Sequence, residues 1–208
     1  FTLTRGWVFP ARPARASRGR ARTSVASRLR PCLGHPLALL LVAALLVRVP
    51  LLVLPGFPWD MRLFREWTAT AVEHGIPAAI LRPDMDYVGY NYLLAGIGEA
   101  YRALTGVARL GLDDRFFVVL KVPPLAGDLA TIALLYPIAS RWFGPWVAPG
   151  ERRLPLLGRV EGSTALGLAA GALYAFNPAT LYDSAYWGQV DSVVAAAMVG
   201  CLALLLAR

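Results

Sequence analysis

Residues 36–55, PLALLLVAALLVRVPLLVLP, hold one charged side chain, Arg48, in twenty positions. At ~1.5 Å per residue, a helix of that length matches the ~30 Å hydrocarbon core of a bilayer. Further apolar runs occupy 115–141, 162–177 and 192–207. With 57% of residues hydrophobic and a mean hydropathy of +0.51, this pattern outweighs the one or two soluble domains that the length alone would allow. The predicted class is an all-α polytopic membrane protein.

The net charge of +8 is concentrated at one end. Residues 1–30 hold Arg5, Arg12, Arg15, Arg18, Arg20, Arg22, Arg28 and Arg30 and no acid, and the basic and acidic residues beyond them cancel. An acid-free start rich in Arg and Ser has the look of a transit peptide, and it could touch nucleic acid. Because an apolar span follows directly, 1–35 reads better as a disordered cytoplasmic tail that orients the chain by the positive-inside rule, with no nucleic-acid partner. Cys32 and Cys201 are too few for a disulfide framework or zinc site and are expected to pack as small apolar residues.

The first span ends in Pro55-Gly56-Phe57-Pro58-Trp59, which cannot continue a helix, and Asp60 follows at once. Met61, Phe64, Thr68, Ala71 and Val72 then recur at helical spacing, while Arg62, Arg65, Glu66 and Glu73 point elsewhere. Trp59 and Trp67 are of the type that favours a membrane–water boundary, so this helix is expected to lie on the outer surface with Asp60 at its start. A carboxylate there is a candidate catalytic base. Arg48, a charge inside a span, is either a functional partner or a side chain snorkelling to the outer headgroups.

Residues 76–90 read as a loop. Its Asp84-Met85-Asp86 has a form that can hold a divalent ion or orient a sugar, although two solvated carboxylates are the plainer reading. Residues 91–105 include Glu99 and Arg102 and are too short and charged to span, so they are placed as a second interfacial or half-inserted helix. Within 115–141, Lys121 and Asp128 share a helical face, with Pro123-Pro124 between them. They could satisfy each other, or Lys121 could be left to bind an anion. The loop 141–161 carries Arg141, Arg152, Arg153 and Arg159 against Glu151 and Glu161, which makes it cytoplasmic and brings Lys121 to the same side as Asp60. Gly167 and Gly171 in the next span suit close helix packing. After Asn177-Pro178 comes TLYDSAYWGQVDS, where Asp183, Tyr186, Trp187, Gln189 and Asp191 are more polar than aromatic anchoring at an interface needs. The run to Arg208 is barely long enough to span, so the chain is expected to be the amino-terminal part of a longer protein.

Several of these stretches, in order, resemble the GT-C superfamily of polyprenyl-phosphate-sugar-dependent glycosyltransferases, nearest to bacterial membrane mannosyltransferases related to the GPI mannosyltransferases. They are Asp60-x3-Phe64-x2-Trp67, Asp86-Tyr87, LKVPPLAGDLATIALLY at 120–136 and NPATLYDSAYWGQVDS at 177–192. Val88-Gly89 stands where that family often has Pro-Pro. The resemblance implies a GT-C-like transmembrane helix bundle in a bacterial plasma membrane, with interfacial helices in a first extracytoplasmic loop at 56–114. It implies Asp60 as the catalytic carboxylate and Lys121 as a basic residue near the donor phosphate.

The expected reaction moves a hexose, mannose above others, from a polyprenyl-phosphate donor to a lipid, glycan or protein acceptor hydroxyl, with inversion and with Asp60 as base. Lys121 and Arg48 would neutralise the leaving phosphate. Asp86, Tyr87, Asp183, Tyr186, Trp187, Gln189 and Asp191 would bind sugar or acceptor. Metal dependence stays open, with Asp84 and Asp86 as the weak candidates. A membrane transporter or lipid-carrier flippase is the alternative, and a structural membrane subunit the third reading.

Overall fold

The computed structural model of the protein describes residues 36–113, 115–155 and 157–207, and the expected basic tail at 1–35 lies outside these. Helices dominate: α1 (Pro36–Leu52), α2 (Pro58–His74), α3 (Ile76–Ile80), α4 (Val88–Thr105), α5 (Phe116–Val147), α6 (Gly162–Ala175), α7 (178–187) and α8 (Asp191–Leu206). α5 changes its winding twice. Lys121 sits in a turn ahead of Pro123 and Pro124, which are tolerated because they open the next helical segment. Pro137 then withholds a backbone donor, and Ile138–Phe143 wind as a π-helix.

α5 is the hub. It packs on α8, α6 and α1, and Leu40, Ala44, Ile132 and Ala175 form the apolar core of that bundle. Glycines set the spacing. A Cβ on Gly167 would lie 2.8 Å from the Tyr136 carbonyl oxygen of α5, and one on Gly171 would lie 2.8 Å from Leu40 Cδ2 of α1. The expected small-residue pair is therefore where α6 meets two neighbours. On the other side of α5, a Cβ on Gly127 would lie 2.7 Å from the Ser192 carbonyl oxygen of α8.

A second layer is built from α2, α3 and α4 with the start of α5. Met61, Phe64, Trp67, Tyr90, Leu94 and Phe116 form its core. The helix expected to lie on a membrane surface has its apolar stripe against protein. The apolar stripe of α2 is covered by protein, and Trp67 is only 1% exposed, so burial against α4 accounts for the amphipathic pattern. Trp59 is exposed. The interval read as a loop, 76–90, contains α3 and the first residues of α4.

The segment 141–161 also differs from expectation. Strands β1 (Glu151–Leu154) and β2 (Gly158–Glu161) pair antiparallel, with Arg152 opposite Val160 and Arg153 opposite Arg159. Such a charged, solvent-facing hairpin lacks the alternation of apolar residues that reveals a strand. Cys201 is exposed, contrary to its expected packing.

The ends of the bundle separate cleanly. The last residues of α1, the first of α5, the last of α6 and the first of α8 meet at one end, joined by bonds from Lys121 to Leu54, Arg48 to Ala175 and Gln189 to Asp60. The π-helical segment and the hairpin lie at the other, where Gly162 donates to Gly150 O at 2.6 Å. Lys121 and Asp60 thus share an end, as the charge pattern predicted.

Each of the four expected spans coincides with a helix. Among the described residues one, α5 at 32 residues, is long and apolar enough to cross a membrane; α1 and α8 are apolar but shorter. Leu46, Val53, Val194, Met198 and Leu204 are exposed on α1, α8 and the turn after α1. Gly127→Ala would push a methyl into the α8 backbone, and overpacking of this kind costs about 1–3 kcal/mol. Thermal unfolding in detergent should show a clear drop for Gly127→Ala, while Gly96→Ala, where a Cβ meets nothing within 4 Å, stays near wild type.

Candidate functional site

Asp60 lies in the first turn of α2, delivered there by the Pro55–Pro58 turn. The turn is pinned at Gly56. Its φ is +77°, and a Cβ would lie 2.9 Å from the Tyr186 carbonyl oxygen and 3.0 Å from that of Trp187. The end of α1 is thereby seated against the end of α7. From there Trp187 Nε1 donates to Asp60 Oδ2 at 2.7 Å, and Gln189 Nε2 donates to the same oxygen. Phe57 packs its ring 5.0 Å from that of Trp187. The other carboxylate oxygen of Asp60 makes no hydrogen bond among the described residues.

The geometry of α7 makes this grip workable. After one α-turn capped by the Asn177 side chain, Leu181–Trp187 wind as a π-helix, a form that recurs at functional sites because it redirects side chains. Gly188 follows at φ +89°, where a Cβ would meet Met61 Cε at 2.6 Å. Trp187 and Gln189 on either side of it can therefore both turn toward Asp60.

A cleft of about 480 Å³ opens beside Trp187. Asp128, Tyr174, Tyr182, Asp183, Trp187 and Asp191 are among its walls. Burial pushes the Asp183 carboxyl up to about 6, helped by the negative charges of Asp191 and Asp128. Asp191 is exposed in the first turn of α8, where the helix dipole favours an anion. Burial also raises the Tyr87 hydroxyl, followed by the charges of Asp191, Asp60 and Asp86, so Asp86-Tyr87 belongs to the same neighbourhood. Tyr186 lies close to the cleft residue Tyr182. Its ring stacks on Tyr182 at 5.2 Å and lies 5.9 Å from Lys121 Nζ.

The two cations expected at a phosphate are both engaged inside the protein. Arg48 and Asp128 are fully buried and bonded to each other, Nε to Oδ2 at 2.8 Å. Arg48 Nη1 also donates to Ala44 O and Ala175 O; Tyr174 donates to Asp128 Oδ1 at 2.9 Å and Ser184 to Oδ2. Lys121 does not pair with Asp128. Seven residues along a helix are about 10.5 Å of rise, too far for an ion pair. Its Nζ instead donates to Leu54 O at 2.7 Å, satisfying a carbonyl just past the end of α1.

Of the weak metal candidates, Asp84 is engaged by an arginine. Asp84 accepts two bonds from Arg82, at 2.8 and 2.7 Å, and the Arg82 guanidinium holds its carboxyl below the usual carboxylate range. Asp86 is exposed. Among the described residues no group of three or more His, Cys, Asp or Glu side chains is arranged to hold a metal ion. Sequence reasoning missed Ser184, Tyr174 and Tyr182, whose only signal was their position inside or beside the polar stretch already singled out.

No family model, curated protein or solved structure matches the chain.

Removing one partner of a buried ion pair costs about 3–5 kcal/mol, whereas replacing both with apolar groups can be near neutral. Denaturant unfolding should therefore show Asp128→Leu strongly destabilised and Arg48→Met/Asp128→Leu substantially recovered. A second prediction concerns pH. Folding raises the Asp183 carboxyl, so ionising it opposes the fold. This cost is absent below about 4, grows with rising pH, and is complete above about 6. The stability gained by Asp183→Asn over wild type, measured from pH 3.5 to 7, should grow across that window and then level off.

Proposed function

We propose that the protein is a membrane glycosyltransferase, moving a hexose from a polyprenyl-phosphate donor to an acceptor hydroxyl with Asp60 as general base. The observation that carries this reading is the grip on Asp60. Two neutral N–H donors, from side chains 127 and 129 residues away, hold one oxygen and leave the other without a bond among the described residues. Neutral donors orient a carboxylate without cancelling its charge, which a base abstracting a hydroxyl proton requires.

Trp187 joins this base to the cleft carrying Asp183, Asp191 and Tyr182. A volume of about 480 Å³ suits a sugar-sized acceptor, and carboxylates with aromatic faces are the groups that bind sugar hydroxyls and ring C–H surfaces. A single displacement at the anomeric carbon inverts its configuration, with the lipid phosphate leaving. Exposed apolar side chains on α1 and α8 supply lipid-facing surface near the site. The Arg-bearing hairpin lies at the opposite end of the bundle, so the positive-inside rule supports an extracytoplasmic site.

The test is transfer of label from radiolabelled polyprenyl-phosphate mannose to extracted acceptors by membranes holding the wild type or Asp60→Asn at matched expression. Loss of a positioned base should cut transfer by about 10²–10⁴-fold, with thermal stability little changed. Equal transfer by both proteins would take Asp60 out of the base role. Absence of transfer by either, with uptake of the labelled lipid carrier across vesicles, would favour the transporter reading.

A further inference from the structure

The hairpin at the end of the bundle away from Asp60 carries charges that its own fold leaves unpaired. β1 and β2 set Arg153 directly opposite Arg159 and Glu151 directly opposite Glu161, so both pairs are of like sign. Side chains opposite one another in an antiparallel pair stand ~5 Å apart at Cβ, close enough for like charges to repel. The acids have a local explanation at the base of the hairpin. Glu161 is the N-cap residue of α6, where the helix dipole favours an anion, and it accepts a bond from Ser163 Oγ at 3.3 Å. The arginines have none. Arg152, Arg153 and Arg159 are exposed, and among the described residues no ion pair engages them, not even with Glu151 or Glu161.

We infer that this hairpin binds the headgroup phosphates of anionic phospholipids, through Arg153 and Arg159. Two guanidinium groups held side by side offer donors to one phosphate together, and an anion between them turns their repulsion into attraction. The surface beside the arginines selects a lipid as the partner. Phe143, Trp146 and Val147, in the last turns of α5, are 51%, 64% and 63% exposed. They are fixed to the base of the hairpin. A Cβ on Gly144 would lie 2.6 Å from Ser163 Cα, and Gly162 donates to Gly150 O at 2.6 Å. Arg141, also exposed, stands on the π-helical segment beside them. Tryptophan favours the membrane–water boundary, and basic side chains next to it meet the headgroups. A soluble polyanion would satisfy the arginines and leave Phe143, Trp146 and Val147 in water. The positive-inside rule also turns this end toward the cytoplasmic leaflet, whose surface is negative. None of this depends on the glycosyltransferase reading, since Asp60 lies at the other end.

Thermal unfolding of the full chain in dodecyl maltoside tests this, with dioleoyl phosphatidylglycerol, dioleoyl phosphatidylcholine or glycerol phosphate titrated in. Phosphatidylglycerol should raise the melting temperature to a plateau, and phosphatidylcholine should leave it near its value in detergent alone. Arg153→Gln/Arg159→Gln should weaken the apparent affinity for phosphatidylglycerol about thirtyfold. In detergent alone this variant should melt at or above the wild-type temperature, because a like-charge pair has been removed, so a lost lipid response is not misfolding. Arg153→Lys/Arg159→Lys, which keeps the charge, should recover much of the response. Arg109→Gln/Arg115→Gln removes the same charge from exposed positions ahead of α5 and should respond as the wild type does. Equal shifts with the two lipids, an undiminished shift in the Arg153/Arg159 Gln pair, or the same loss in the Arg109/Arg115 pair would overturn the assignment. Glycerol phosphate matching phosphatidylglycerol would overturn the membrane as the partner and make the arginines a site for free phosphate.

Discussion

The carboxylate of Asp128 is the point at which four helices are tied. It lies on α5 and receives Arg48 from α1, Tyr174 from α6 and Ser184 from α7, while Arg48 reaches on to the Ala175 carbonyl. A buried charge is costly unless it is paired and hydrogen-bonded, so the contacts to Asp128 favour one register of these four elements. The register matters because Ser184 and Trp187 share the same π-helical turn. Holding Ser184 on Asp128 sets where Trp187 emerges, and Trp187 meets Asp60 across the end of α1. A structural ion pair deep in the bundle thus governs the placement of a carboxylate at its end.

Charge around that carboxylate is sorted rather than mixed. The cations nearest the axis are consumed in the scaffold, Arg48 by Asp128 and Lys121 by the carbonyl beyond α1. What remains at Asp60 is a pair of neutral side-chain donors, and Asp183, Asp191 and aromatic rings line the cleft that Trp187 shares. The glycine at 188 and the turn at Gly56 permit this, since both let backbones approach more closely than any side chain would allow.

Much of the helical layout was legible in the sequence because long apolar runs and Pro-Gly breaks are local signals. The ends of α1, α5, α6 and α8 fall within a few residues of where those breaks put them. Asp60 and the 183–191 stretch were also legible as candidates, since polar residues stand out in so apolar a chain. What periodicity could not reveal was which apolar stripe faces protein. The stripe of α2 looks the same whether lipid headgroups or α4 cover it, and only the packing of Phe64, Trp67 and Tyr90 decides for the latter. The hairpin was hidden for a related reason: its strands are charged and short, and pair only because the chain reverses between α5 and α6.

By itself, then, the sequence determined a helical, apolar protein with its polar chemistry gathered near residues 60 and 187, because composition and spacing act within a few turns of chain. Tertiary structure alone decided the partners. Arg48 chose Asp128 over solvent, Lys121 chose a carbonyl over Asp128, and Asp60 acquired Trp187 and Gln189. Each of those choices depends on distances between segments about 70 to 130 residues apart, and such distances are set by close packing at glycines and by the cost of burying an unpaired charge.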